Sequence, residues 1–233
     1  MLESMNVTMV AGVARRRALA LARAAIGRAQ SGEAHALEVD VAPRPVLARL
    51  LDEGALARAI VLLERDGEHG RIVVLPRRAR GAPTIAELLE ADHCRLDDIA
   101  ARMAQSARGD PMRAVVLAHL FSVGIRRHVG AEERLLFPIY RAHLSTAADR
   151  IALMQLEHRA ILRYVERTLR AAEHVLGASG RDEGVEELLR AHRGLAGVLA
   201  DHNDREERTL FPLLDRVLGE EERQEVLRRL VLF

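Results

Sequence analysis

The residues with the most chemistry in this chain are written twice. "RRHVGAEERLLFP" runs from Arg126 to Pro138, and "ADHNDREERTLFP" runs from Ala200 to Pro212. Each phrase holds a histidine, a glutamate four residues on, and a Phe-Pro pair beginning five residues after the glutamate. The first set is His128, Glu132 and Phe137-Pro138; the second is His202, Glu206 and Phe211-Pro212, at a constant offset of 74. Positions i and i+4 stand one turn apart on the same side of a helix. Each phrase can therefore offer an imidazole nitrogen and a carboxylate oxygen to neighbouring coordination positions. His93 and His158 extend the set to four imidazoles and two carboxylates. Such a mixture suits iron or manganese, and it also accepts zinc. A carboxylate has two oxygens, so Glu132 and Glu206 can each bridge two ions, leaving two imidazoles for each ion and open positions for reaction.

Helices must position these groups. "TIAE" (Thr84–Glu87) is a capping box, and the helix it starts should run to about Ala107. Asp110-Pro111 starts a second helix, with Asp as N-cap and Pro at the first helical position. That helix should break near Pro138, because proline lacks the N–H and collides with the carbonyl four residues back. A third should run from about Thr146 to Leu176. A fourth should run from about Asp182 and break near Pro212, with a short tail helix from about Glu220. Each long helix has an apolar stripe with one histidine in it. The stripes are Leu89, Leu96, Ala100 and Met103 with His93; Leu117, Phe121, Ile125 and Leu135 with His128 and Glu132; Ile151, Met154, Ile161 and Val165 with His158; and Leu195, Val198, Leu199 and Leu213 with His202 and Glu206. The pattern predicts a mainly α protein, an up-down four-helix bundle with the six polar groups aimed into its core. Buried carboxylates must be paired, neutralised or metal-bound, which makes a metal site the economical reading.

The first 80 residues have a different character. "ARRRALALARAAIGRA" (Ala14–Ala29) reads as a basic surface helix. That reading, or a disordered lead, is expected over an export signal, since Arg23 and Arg28 interrupt the apolar run. "ALEVDV" alternates like a strand, "PRPVLARLLDEG" reads as a short helix ending near Gly54, and "AIVLLE" and "RIVVLP" flank an Asp66-Gly67 turn signal. The expected organisation is an N-terminal α/β or irregular unit at 1–80, the bundle at 83–218 and a short C-terminal helix at 219–233, with a linker near Arg77–Pro83. The 233 residues suffice to bury a core, which must be aliphatic, since there is no Trp, two Tyr and four Phe. A formal net charge of +1 gives no global reason to expect nucleic acid or membrane as a partner. A single Cys excludes an internal disulfide and suits a reducing cytoplasm. No nucleophile–base dyad or phosphate loop stands out, which argues against hydrolase and nucleotide-driven chemistry.

The order His … His-x-x-x-Glu … His … His-x-x-x-Glu, each Glu followed by Leu-Phe-Pro, resembles the hemerythrin-like, or HHE cation-binding, domain family over about residues 83–218. The resemblance implies a four-helix bundle holding a non-haem, oxo- or hydroxo-bridged pair of irons. Its implied ligands are His93, His128, Glu132, His158, His202 and Glu206. Oxygen-carrying hemerythrins have a further histidine where this chain has Leu162, and an aspartate five residues after the last histidine, where this chain has Glu207. The site therefore looks like the four-His, two-Glu set of the bacterial iron-centre repair proteins, which are linked to nitrosative and oxidative damage of iron–sulfur clusters. Those usually carry a Cys-containing N-terminal module, and residues 1–80 here contain no Cys. The resemblance implies nitric oxide or dioxygen as small ligands and a damaged iron–sulfur protein as partner. The alternative is a sensor of O2, NO or iron, or an iron-handling protein without turnover.

The remaining candidates are expected to be structural. Cys94 is about 100° around the helix from His93 and reads as a core or groove thiol. His119 and His192 fall out of phase with the ligands; His35, His69, His143 and His174 read as surface residues. Glu133 and Glu207 should point to solvent or an adjacent helix, as fallback ligands. Tyr164 reads as core packing, and the Phe-Pro pairs as helix stops with a packed ring. Arg15 to Arg17 read as a solvated basic face.

Overall fold

The computed structural model describes residues 6–10, 15–67, 70–77, 79, 81–144, 147–177 and 181–233. His69 lies outside them. The protein is mainly helical, with a small sheet near the N-terminus. The elements there are β1 (Asn6–Val10), α1 (Arg15–Ala29), β2 (His35–Val39), α2 (Pro43–Asp52), β3 (Ala59–Arg65) and β4 (Gly70–Pro76). The strand order is β1-β2-β4-β3; β1 runs parallel to β2, and the other pairs are antiparallel. β3 and β4 read as unbroken apolar runs because both of their faces are covered: Ile60, Val61, Leu62 and Leu63 are all buried, as are Ile72, Val73, Val74 and Leu75. The basic lead helix is amphipathic rather than a free surface element. α1 buries Ala18, Ala22, Ala25, Ile26 and Ala29 at helical spacing and leaves its arginines outside. Gly70 is required where β4 begins, since a Cβ there would lie 2.5 Å from the Pro43 ring.

The chain divides into two compact units, residues 1–92 with 215–233, and residues 93–214. The C-terminal helix α9 (Glu220–Leu232) belongs to the first. It packs on α2 and β3 through Val226, Leu227, Leu230 and Val231. Arg228 pairs with Asp52 at 2.7 Å, and Arg44 donates to the Phe233 carbonyl at 2.7 Å. Helical periodicity shows that α9 has an apolar face but carries no record of which surface it covers.

The long helices are α3 (Ile85–Ser106), α4 (Pro111–Ala131), α6 (Ala147–His174) and α7 (Arg181–Arg205), with α5 (Phe137–His143) between α4 and α6. In the second unit they line an aliphatic core. Leu96, Ile99 and Ala100 meet Phe121, Ile125, Ile161, Val165, Leu195 and Leu199. Farther along, the contacts are mostly small: Ala107, Ala114, Ala118, Ala171, Ala172 and Ala191, with Met103, Val175 and Leu188. Asp110 caps α4 as expected, accepting from the Arg113 N–H at 3.0 Å. Thr84 accepts from the Glu87 N–H at 3.0 Å, but the Glu87 carboxylate is held by Arg77 at 2.8–2.9 Å. The other first-turn donors of α3 go to Asp215, whose oxygens accept from Ile85 and Ala86 at 2.8 and 3.0 Å.

The helices do not break at the two prolines. Each passes through a π-helical turn, Glu132–Leu136 and Glu206–Leu210, and continues as α5 and as α8 (Phe211–Val217). The Phe137 N–H reaches back five residues to the Glu132 carbonyl, and Phe211 does the same to Glu206. This wider turn relieves the collision that proline makes with an α-helical carbonyl four residues back. It also changes the phase of everything that follows. Leu135 and Leu213, expected in the core, are only half-buried. Leu136, Phe137 and Tyr140 are buried instead, as are Leu210, Phe211 and Leu214. The Tyr140 hydroxyl donates to the Leu210 carbonyl and ties α5 to the second π turn.

Asp215 is separated from the α3 N-terminus by some 130 residues of chain, so its capping is a tertiary contact. Asp215→Ala is expected to cost about 1–2 kcal/mol, seen as a lower urea midpoint with an unchanged slope. Asp215→Asn should lose less.

Candidate metal centre

Each of the four long helices delivers one histidine to a common point: His93 from α3, His128 from α4, His158 from α6 and His202 from α7. Glu132 and Glu206 open the two π turns and are wholly buried among them. His93, His128, Glu132 and Glu206 bring ligand atoms within 4.8 Å of one another, and Glu132, His158, His202 and Glu206 do the same. The two sets share both carboxylates and divide the imidazoles in pairs. In the first, His93 Nε2 lies 2.9 Å from His128 Nε2 and 3.5 Å from Glu206 Oε2, and His128 Nε2 lies 3.3 Å from Glu132 Oε1. In the second, His158 Nε2 lies 3.2 Å from Glu132 Oε2 and 4.0 Å from Glu206 Oε1, and His202 Nε2 lies 3.2 Å from Glu206 Oε1. Metal–ligand bonds of about 2.1 Å place neighbouring ligand atoms roughly 3–3.5 Å apart, so most of these separations are those of coordination edges.

An outer ring of carboxylates orients the imidazoles. His93 Nδ1 is 2.8 Å from Glu207 Oε1, His158 Nδ1 is 2.9 Å from Glu133 Oε1, and His202 Nδ1 is 3.0 Å from Glu157 Oε2. A carboxylate oxygen accepts, so each ring donates its Nδ1–H outward and turns the Nε2 lone pair inward. Arg205 holds Glu157 in turn. Glu133 and Glu207 lie outside both ligand sets and remain partly exposed; each reaches a neighbouring helix and fixes a histidine there. The Phe rings complete the packing: Phe137 stacks on His158 at 5.6 Å between centroids, and Phe211 lies 5.5 Å from His93.

The polar balance inside the ring fits a cation. Both oxygens of Glu132, both of Glu206, and Nε2 of His158 and His202 are buried without an aligned hydrogen-bond partner. Each such orphan costs about 1–3 kcal/mol. Inward-facing nitrogen lone pairs beside carboxylate oxygens repel one another unless a proton or a metal ion lies between them. Burial alone would push the Glu132 carboxyl up, but the adjacent His128 and His158 outweigh it and hold it well below the usual carboxylate range. Burial would lower His93, yet Glu206 and Glu207 leave it raised. His158 is raised through Glu132 and Glu133, and His202 through Glu206 and Glu157, each against its own burial. Without metal the cluster retains protons that a cation must displace.

The other candidates scatter. His119 is exposed beside Glu173 at 3.3 Å, and His143 and His174 are exposed. His192 is half-buried, away from the site set. Two expectations fail. Cys94 is exposed, because it follows the inward His93 by a single residue and its side chain leaves the core. His35 is buried, because its strand is covered, and it accepts from Arg28 Nε at 3.2 Å. Tyr164 packs against Gly194, where a Cβ would come within 2.8 Å of the ring. Sequence reasoning missed the positioning role of Glu133, Glu157 and Glu207. The repeated Glu-Glu doublet was the available signal for two of the three.

Two outcomes follow from this geometry. Glu133→Gln and Glu207→Gln should weaken metal binding about 10–100-fold in chelator competition while the helical spectrum is retained. The metal-free protein should be most stable in mild acid. The raised histidines contribute stability below their unfolded value of about 6.5 and lose it as pH rises through their folded values. Glu132 contributes above the unfolded carboxylate value of about 4.3 and loses it as pH falls through its folded value. Melting temperatures of chelator-treated protein should therefore fall as pH rises above about 6.5, and metal-loaded protein should not follow. No described helix is long and apolar enough to cross a membrane. No curated relative matches the chain. The hemerythrin HHE cation binding domain model matches residues 84–229, from the threonine that caps α3 through all six converging side chains, and the chain belongs to that family.

Proposed function

We propose that the chain is a non-haem di-iron protein built on the up-down hemerythrin bundle, which reacts with nitric oxide or dioxygen in nitrosative or oxidative stress or in iron-centre repair. The observation that carries this reading is that two four-residue ligand sets share both Glu132 and Glu206. Two imidazoles and two shared carboxylates for each ion would leave coordination positions open, which a reactive centre needs and a closed structural site lacks. A bound iron pair would supply one-electron chemistry toward a small diatomic ligand. The chain's own residues would hold and screen it: His93 and His128 would serve one ion, His158 and His202 the other, with Phe137 and Phe211 packed against the rings of His158 and His93. Leu162, standing where oxygen carriers have a further histidine, favours the repair-type set. Cytoplasmic location is part of the proposal and rests on the single cysteine. A damaged iron–sulfur protein is the proposed partner.

Metal content per chain and the visible spectrum, before and after anaerobic nitric oxide, test the reading. Two irons and a spectrum that changes on nitric oxide are expected. Zinc, or no metal, sinks the redox reading. Glu132→Ala or Glu206→Ala should lose at least one metal per chain; two variants with full metal and unchanged spectra would remove the bridging assignment.

A further inference from the structure

Away from the metal centre, α6 carries a charged face with no counterpart. Arg159, Arg163, Arg167 and Arg170 follow at steps of four, four and three residues, and all are exposed. Such steps share one side of a helix, here the side opposite the buried Met154, His158, Ile161, Val165, Thr168 and Ala172. The stripe is about 16 Å long. The acidic residues nearest it in sequence are engaged elsewhere: Glu157 with His202 at 3.0 Å, Glu166 with Arg126 at 3.3 Å and Glu173 with His119 at 3.3 Å. None of the four arginines makes an ion pair or hydrogen bond with a described residue. The same face continues into Leu156, with Leu153 beside it, 57% and 46% exposed.

Folding does not explain this arrangement. Like charges at i,i+4 destabilise a helix, and two exposed leucines at one end add to the cost of solvation. Some other exposed arginines of the chain find acids, as Arg23 does with Glu53 and Arg108 with Glu186. We propose that the outer face of α6 docks an acidic helix of a partner protein. That helix would present carboxylates every three to four residues and an apolar side chain at one end. The spacing of the stripe is the register of another helix, and charged pairs flanking an apolar contact are what set partner and orientation between helices. Duplex nucleic acid would answer the arginines but has no use for the leucines. A membrane would need a broader apolar face than two leucines, since the rest of α6's apolar side is already in the core. His158 projects inward one residue before Arg159, so a docked helix sits about one helix diameter, roughly 10 Å, from the metal-centre ligands. The proposal stands on the stripe alone and does not require iron in the centre.

The probe is a synthetic helical peptide with glutamates at steps of four, four and three, and leucines one turn beyond either end. It is titrated against the full chain at low and high salt, beside a composition-matched scrambled peptide, a short DNA duplex and phosphatidylserine vesicles. The patterned peptide is expected to bind best and to weaken with salt. The double variant R163Q/R167Q should weaken it about tenfold or more while keeping or raising the thermal midpoint. Absence of binding, equal binding by the scrambled peptide, tighter binding by duplex or vesicles, or an unaffected double variant would each overturn the proposal.

Discussion

Two carboxylates buried side by side impose the constraint from which the rest of this protein follows. Neither Glu132 nor Glu206 has any exposure, and an unpaired charge in such a place is untenable. The four histidines answer it directly. Because each comes from a different long helix, the compensation can form only when all four helices are assembled. The electrostatic demand of the centre and the packing of the bundle are therefore one condition. Core positions near the site obey it, as Leu96, Ile125, Ile161 and Leu199 fill the next layer with aliphatic carbon that offers no competing polar partner.

The duplicated phrase has a physical account that goes beyond supplying ligands twice. Its first glutamate faces the centre and its second reaches sideways. Glu133 and Phe137 of the first phrase both act on His158, and Glu207 and Phe211 of the second both act on His93. Each phrase thus offers its own histidine as a ligand and positions a histidine belonging to another helix. The π turn makes this possible. It starts at the inward glutamate and ends just before the phenylalanine, so that residues five apart come to the same side, and the proline follows where an N–H is not needed.

Much of this was legible in the sequence, for reasons that can be named. His93, His128, His158 and His202 each lie in phase with an apolar stripe, and most of each stripe is buried as the 3.6-residue period demands, with Leu117 and Val198 half-buried at the core's margin. Periodicity failed at Leu135 and Leu213 because it assumes one helical pitch, and the pitch changes at Glu132 and Glu206. The Phe-Pro pairs announced that something happens there but not what, since a stop and a π turn relieve the same clash. β1 went unread, because five residues pairing in parallel with β2 depend on a partner strand some thirty residues away. The docking of α9 was unreadable for the same reason: an apolar face states a need for cover and not its source. Glu157 belongs to this class as well, as a charged residue whose role exists only once α6 and α7 lie together.

α6 shows how a single helix can separate these demands. Its inner side holds His158 against both bridging carboxylates. One residue earlier, Glu157 turns toward α7 to hold His202 and Arg205. One residue later, Arg159 begins the outward stripe. Consecutive side chains on an α-helix diverge by about 100°, so "Glu-His-Arg" spends three neighbouring positions on three different surroundings: a carboxylate that orients, an imidazole that coordinates and a cation that meets solvent. Substituting either neighbour of His158 should therefore not be read as a change at the ligand itself. The two act along directions in which the ligand does not point, one through the hydrogen bond to His202 and the other through the outer field of the helix.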